Sequence, residues 1–213
     1  MFEVIESTEI FIKNTLEHGG SDGHDFDHTM RVVRHALQLC DELPVADRNI
    51  VHIAALLHDV ARPEEFQSQG RIDHAVLGAE KARDFLLSIN VNEEIANKAA
   101  EAISQHRFRS GVPPSTLEAA ILFDADKLDS LGAVGIGRAF LFAGRAGARL
   151  HNSAEEALAS APYSSGDTAY REYLVKLSKV QYKMLTEPGK KKAALLSVRM
   201  DEFFRQLNAE IFA

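Results

Sequence analysis

The sequence predicts an all-α fold, on three observations. Apolar residues recur at three- and four-residue spacing along most of the chain, helix-starting and helix-stopping residues separate the periodic stretches, and no strand pattern, internal repeat or low-complexity block interrupts them. With 213 residues, 46% of them hydrophobic, the chain can bury a full core as a single domain spanning 1–213. Twenty-four basic against thirty-one acidic residues give a net charge of -7, which leaves no general footprint for nucleic acid or an anionic membrane. Any phosphate site must therefore be local. The single Cys40 suits a small core position in a reducing compartment. The N-terminus is acidic and amphipathic, and no apolar run approaches the roughly 18 residues of a membrane span. A soluble, cytoplasmic protein is the expectation.

Phe2, Ile5, Ile10, Phe11, Ile12 and Leu16 predict a helix over about 2–17, closed by His18-Gly19-Gly20 with His18 as a C-terminal cap. The dense segment Ser21 to His28 leads into a helix Thr29 to Leu43, where Asp25 and Asp27 suit helix-start capping and His35 suits an exposed position. Asp47 opens the next helix, which carries Ile50, Ile53, Ala54 and Leu57, turns His52 outward and ends in His58-Asp59. Residues 61–70 read as a loop or short broken helix. A helix from Asp73 to Ile89 holds His74 in its first turn, and another opens at Asn92 or Glu93 and ends at His106. After Pro113-Pro114, Leu117 to Leu122 leads into the cluster Asp124, Asp126, Lys127 and Asp129. Gly132, Gly135 and Gly137 suit close helix packing. Residues 151–167 read as a connecting loop and candidate lid. Two scaffold helices follow, Thr168 to Leu185 and Lys190 to Ala209, separated by Glu187-Pro188-Gly189; Leu195, Val198, Met200, Phe203, Phe204 and Leu207 are the apolar positions of the last.

The chemistry starts at Val51 to Val60, an apolar helical run that ends in an adjacent imidazole and carboxylate. A buried, unpaired carboxylate costs several kcal/mol or takes up a proton, so Asp59 calls for a cation. One metal ion held by His58 and Asp59 would lie between them, since adjacent side chains diverge by about 100° around a helix. Its other ligands must come from distant His and Asp. His28, His74 and His106 each sit at a helix end, although a lone histidine there is more often a cap or a satisfied core residue. Asp126, Lys127 and Asp129 are too closely spaced for all to face the core.

The order His28, His58-Asp59, Asp126 resembles the HD-domain superfamily of metal-dependent phosphohydrolases. His24-Asp25-Phe26-Asp27-His28 with Arg31-Val32, Ala54 to Asp59, and Asp124 to Asp129 with Gly132-Ala133 and Gly137 to Phe140 resemble its bacterial nucleotide pyrophosphohydrolases. The resemblance implies a single-domain helical bundle whose metal-binding core spans about 20–140, with helices of about 168–210 packed on it. It also implies that His28, His58, Asp59 and Asp126 ligate one divalent ion, with Asp124 as second candidate for the last place. His74 and His106 fall in the order used by two-metal HD proteins, so Asp59 could bridge to a second ion. That variant resembles HD phosphodiesterases and, more distantly, di-iron HD oxygenases.

The expected activity is metal-dependent hydrolysis of a nucleotide or another small phosphate ester or anhydride by metal-activated water. The imidazole and carboxylate donors suit Mn²⁺, Fe²⁺, Co²⁺, Ni²⁺ or Zn²⁺, with Mg²⁺ also in the set. Lys127 and Arg31 are the candidate catalytic cations and Arg62 and Arg138 the candidate substrate ligands. Glu64, Glu65 or Asp129 could act as general acid or base, and His24 could orient a ligand. A non-catalytic nucleotide-binding module is the third class. Nothing in the composition opposes an oligomer.

Overall fold

The structure, a computed structural model, describes residues 1–17, 25–107 and 113–212, and these are helical with no strand among them. The expected roles of His18 and His24 lie outside the described residues. By chain contacts the protein divides into two compact units, Met1–Asp126 and Lys127–Ala213.

In the first unit, α1 (Phe2–Glu17) and α2 (Phe26–Glu42) pack with α3 (Arg48–Leu57), while α5 (His74–Ser88) lies along α6 (Glu93–Gln105), which in turn packs on α3. Short α4 (Arg62–Gln67) joins α3 to α5, and the unit ends at Asp126, within α7 (Leu117–Leu128). The helix starts are chemically explicit. Asp25 accepts from His28 N–H, Asp47 from Asn49 and Ile50, Asp73 from Ala75, and Asn92 from Glu94, each satisfying backbone donors left free in a first helical turn. Ile12, Val32, Ile53, Leu56, Leu57, Leu86, Ile103, Ile121 and Leu122 form much of the interior. Helix α3 is therefore surrounded on most sides, which fixes the turn that follows it.

The second unit contains α8 (Gly132–Arg145), α9 (Ala154–Ala159), α10 (Ala169–Glu172), a π-helical turn Tyr173–Leu177, α11 (Ser178–Val180), a 3-10 turn Gln181–Lys183 and α12 (Glu187–Phe212). Gly132, with φ of 64°, opens α8 against Leu196 of α12 and Gly135 lies against the Ser130 backbone, as expected of close packing, whereas Gly137 has open space beside it.

Several sequence expectations need correction here. The helix expected over Thr168 to Leu185 is broken by the π and 3-10 turns; the wider π turn goes with the placement of both Tyr170 and Tyr173 on Phe204, at ring centroids 5.5 and 4.4 Å. Glu187-Pro188-Gly189 does not separate helices but begins α12, because proline needs no N–H partner in a first turn and Thr186 Oγ1 accepts from Gly189 N–H. Leu195 and Val198 are exposed, and the buried positions of α12 are Pro188, Gly189, Ala193, Ser197, Met200 and Phe204. His35 is half-buried rather than exposed.

Candidate metal centre

Five side chains of the first unit, His28, His58, Asp59, His74 and His106, meet in the interior, each between 0% and 2% exposed. All come from helix ends. His28 stands in the first turn of α2, His58 caps the C-terminus of α3, Asp59 occupies the turn just beyond it, His74 opens α5 and His106 caps α6.

The helix ends also set the tautomers. The last carbonyls of a helix lack intrahelical partners, and two histidines use them: His58 Nδ1 donates to Ala55 O at 2.8 Å, and His106 Nδ1 donates to Ile103 O at 2.6 Å. A carbonyl can only accept, so the proton sits on Nδ1 and each neutral ring presents a bare Nε2. His74 Nδ1 donates to Glu65 Oε2 at 2.6 Å, with the same result. Burial pushes the His106 pKa down to about 3, His58 adding to the effect and Asp126 and Asp59 opposing it. Burial likewise lowers His58, against the pull of Asp59. Both rings are neutral at physiological pH and offer lone pairs.

Those lone pairs converge on Asp59. On one side, His28 Nε2 lies 3.4 Å from His58 Nε2, and each is 3.5 Å from Asp59 Oδ2. On the other, His74 Nε2 lies 3.1 Å from His106 Nε2 and 3.1 Å from Asp59 Oδ1, with His106 Nε2 at 4.0 Å from the same oxygen. Two donors about 2.1 Å from one ion are separated by about 3.0 Å at a right angle and about 3.4 Å at the tetrahedral angle. With one exception the spacings within each group lie close to that range, and the 4.0 Å between His106 and Asp59 corresponds to a wider angle of about 145°. Without a cation the bare Nε2 atoms of His74 and His106, 3.1 Å apart, would repel. The groups His28, His58, Asp59 and Asp59, His74, His106 could each hold a metal ion.

Asp126 joins the first group, with Oδ1 3.6 Å from His28 Nε2. Asp124, two residues earlier on α7, points about 200° away around the helix and is fully buried. Of the two aspartates weighed from sequence, Asp126 is the one placed beside His28.

A layer of charge lies behind Asp59 and His74. Arg62 Nε donates to Asp59 Oδ1 at 3.2 Å and its Nη1 to Glu65 Oε2 at 2.6 Å, while Arg107 Nη1 donates to Glu65 Oε1 at 2.5 Å. Burial alone would raise the Glu65 pKa, but the hydrogen bonds from His74 and Arg107 outweigh it and hold the carboxyl at about 2. Glu65 is thus an acceptor and not a proton donor near neutral pH.

The other candidates are dispersed. Arg31 is half-buried, one turn beyond His28 on α2. Glu64 is paired with Lys81 of α5, and Arg62 is turned toward Asp59 and Glu65. Lys127 follows Asp126 on α7 and is half-buried. In the second unit, Asp129 is buried and receives Arg138 Nη1 at 2.6 Å. Arg107 escaped the sequence reading, although its position directly after His106 was an available signal.

The sequence profile of the HD domain family matches residues 25–131, the span holding every member of this cluster. The chain belongs to the HD-domain family. The Bacillus subtilis protein YpgQ is 32% identical over 195 residues, covering 90% of this chain and 86% of YpgQ. The crystal structure of YpgQ in complex with ADP matches with a TM-score of 0.76 and 26% identity, covering 100% of this chain and 97% of that one. An HD-superfamily hydrolase from Bacillus thuringiensis matches with a TM-score of 0.75 and 30% identity, over 98% and 96% of the two chains. The architecture is thus the HD-superfamily hydrolase fold, with a His/Asp cluster that could hold metal. Among the described residues, no helix is long and apolar enough to cross a membrane.

Proposed function

We propose that this HD-domain chain is a divalent-metal-dependent phosphohydrolase of small phosphate esters or anhydrides, nucleotides first among them. The observation that carries the reading is the convergence of four imidazole Nε2 atoms, those of His58, His74 and His106 bare, on the two oxygens of Asp59. His28, His58, Asp59 and Asp126 would hold one ion; Asp59, His74 and His106 would hold a second. Imidazole with carboxylate favours Mn²⁺, Fe²⁺, Co²⁺, Ni²⁺ or Zn²⁺ over Ca²⁺. Bound divalent ions supply Lewis acidity toward a phosphoryl oxygen and make water a better nucleophile near neutral pH.

The protein contributes fixed donors and a dry setting. His58 and His106 are locked by their own helices, so their lone pairs need no reorganisation when an ion enters. Arg31 and Lys127, each near a proposed ligand in sequence, are assigned to the remaining negative charge of the phosphate. The ADP named in the YpgQ complex supports a nucleotide as the first substrate class to test. The two-sided use of Asp59 favours one second reading, a pair of iron ions that reacts with oxygen.

The deciding experiment incubates Mn²⁺-reconstituted protein with nucleoside mono-, di- and triphosphates and measures phosphate and pyrophosphate release. Release that disappears with chelator and in His58→Ala is expected. Tight metal and nucleotide binding without release would favour a binding module, and oxygen uptake by the iron-loaded protein without phosphate release would favour the oxygenase.

A further inference from the structure

The three histidines with defined Nδ1 contacts are not fixed in the same way. His58 and His106 stand at helix C-termini and donate to carbonyls three residues back in their own helices. His74 opens α5, and a helix start presents free N–H groups rather than carbonyls. The free helix-end carbonyl that holds Nδ1 in the other two is therefore lacking at this end of α5. The acceptor for His74 arrives from α4 as Glu65, 2.6 Å away.

Glu65 is itself held on both oxygens. Oε2 accepts from Arg62 Nη1 at 2.6 Å and Oε1 from Arg107 Nη1 at 2.5 Å. Arg107 also reaches Asp73, the cap of α5, at 3.3 Å and approaches His74 Nδ1 at 3.2 Å. Since Arg107 can only donate and Nδ1 donates to Glu65, the last contact is a close approach rather than a hydrogen bond. The two guanidiniums hold both oxygens of the carboxylate.

We infer that Glu65, clamped by Arg62 and Arg107, is a positioning residue for His74 and governs occupancy of the Asp59, His74, His106 half while leaving the His28, His58 half alone. The inference rests on the two-ion reading above. Orientation of a metal-binding histidine by an outer carboxylate fixes its tautomer and raises its basicity. Glu65→Gln is the informative change, because it keeps volume but leaves one acceptor oxygen for three donors. Its amide can then donate to Nδ1 and drive the proton to Nε2, blocking the lone pair.

The test is Mn²⁺ titration of the full chain by calorimetry, with nitrogen-15 NMR of the histidine rings in the chelated protein. Glu65→Gln is expected to weaken the second ion about 10–100-fold, to leave the first at its wild-type affinity, and to shift His74 alone toward the Nε2–H tautomer. Arg107→Gln, which keeps Glu65, should show the same selectivity with a smaller loss and serves if Glu65→Gln does not fold. Two ions in wild type, one lost in His74→Ala, and unchanged affinities with an unchanged His74 tautomer in Glu65→Gln would overturn the clamp alone. A single wild-type ion indifferent to His74→Ala would overturn the two-ion reading and the clamp with it.

Discussion

Stripping divalent metal from the protein should lower its melting temperature by an amount set by the number of ions. The cluster lies in the folded interior and draws its donors from five segments, so the unfolded chain has no comparable site. A ligand bound only by the folded state stabilises it by about 2.7 kcal/mol when its free concentration is about 100 times Kd, and two independent sites give about 5.4 kcal/mol. At about 2–4 °C per kcal/mol for a chain of this size, one ion is worth about 5–11 °C and two about twice that. The assay is thermal unfolding of wild type, His58→Ala and His74→Ala, each with chelator and with excess Mn²⁺. His74→Ala should keep roughly half of the wild-type shift. Identical melting of stripped and loaded wild type would exclude a folded-state metal site, and a full shift in His74→Ala would exclude a role for His74 in holding an ion.

Three further outcomes follow from the same geometry. Leu56→Ala, at a fully buried position of α3 two residues before His58, should cost about 2–5 kcal/mol in urea denaturation and weaken metal binding as well. His106 has its pKa lowered from 6.5 to about 3, so the unfolded chain binds more protons between those values. The chelated protein should therefore lose stability as pH falls from about 6.5 toward 3, a component removed in His106→Gln and measurable by denaturation across that window. Burial pushes the Cys40 thiol up to about 11, so at pH 8 about one thiol in a thousand is ionised, and alkylation should be slow in native protein and rapid in urea.

The parts of this structure that were legible in the sequence are those where local chemistry decides. Asp25, Asp47 and Asn92 cap the helices they precede, and the apolar run into His58-Asp59 ends α3 in the interior as its composition demands. Asp126 could not be separated from Asp124 by sequence, because the choice depends on which side of α7 faces His28. Glu64 and Glu65 posed the same problem. Only the orientation of the six-residue α4 decides that Glu65 meets His74 while Glu64 meets Lys81. Arg107 reads as an ordinary surface cation until a buried carboxylate forty-two residues away in sequence is placed beside it. In α12, local preference misled: Pro188-Gly189 looked like a break, and Leu195 and Val198 looked like core.

The most direct test of the central claim is the metal content of the reconstituted protein, by elemental mass spectrometry after removal of loosely bound ions. About two ions per chain are expected in wild type, as in bridged two-metal sites, with one lost in His74→Ala and both lost in Asp59→Ala. No metal in wild type after loading with Mn²⁺ or Fe²⁺, or a metal content unaffected by Asp59→Ala, would contradict that claim.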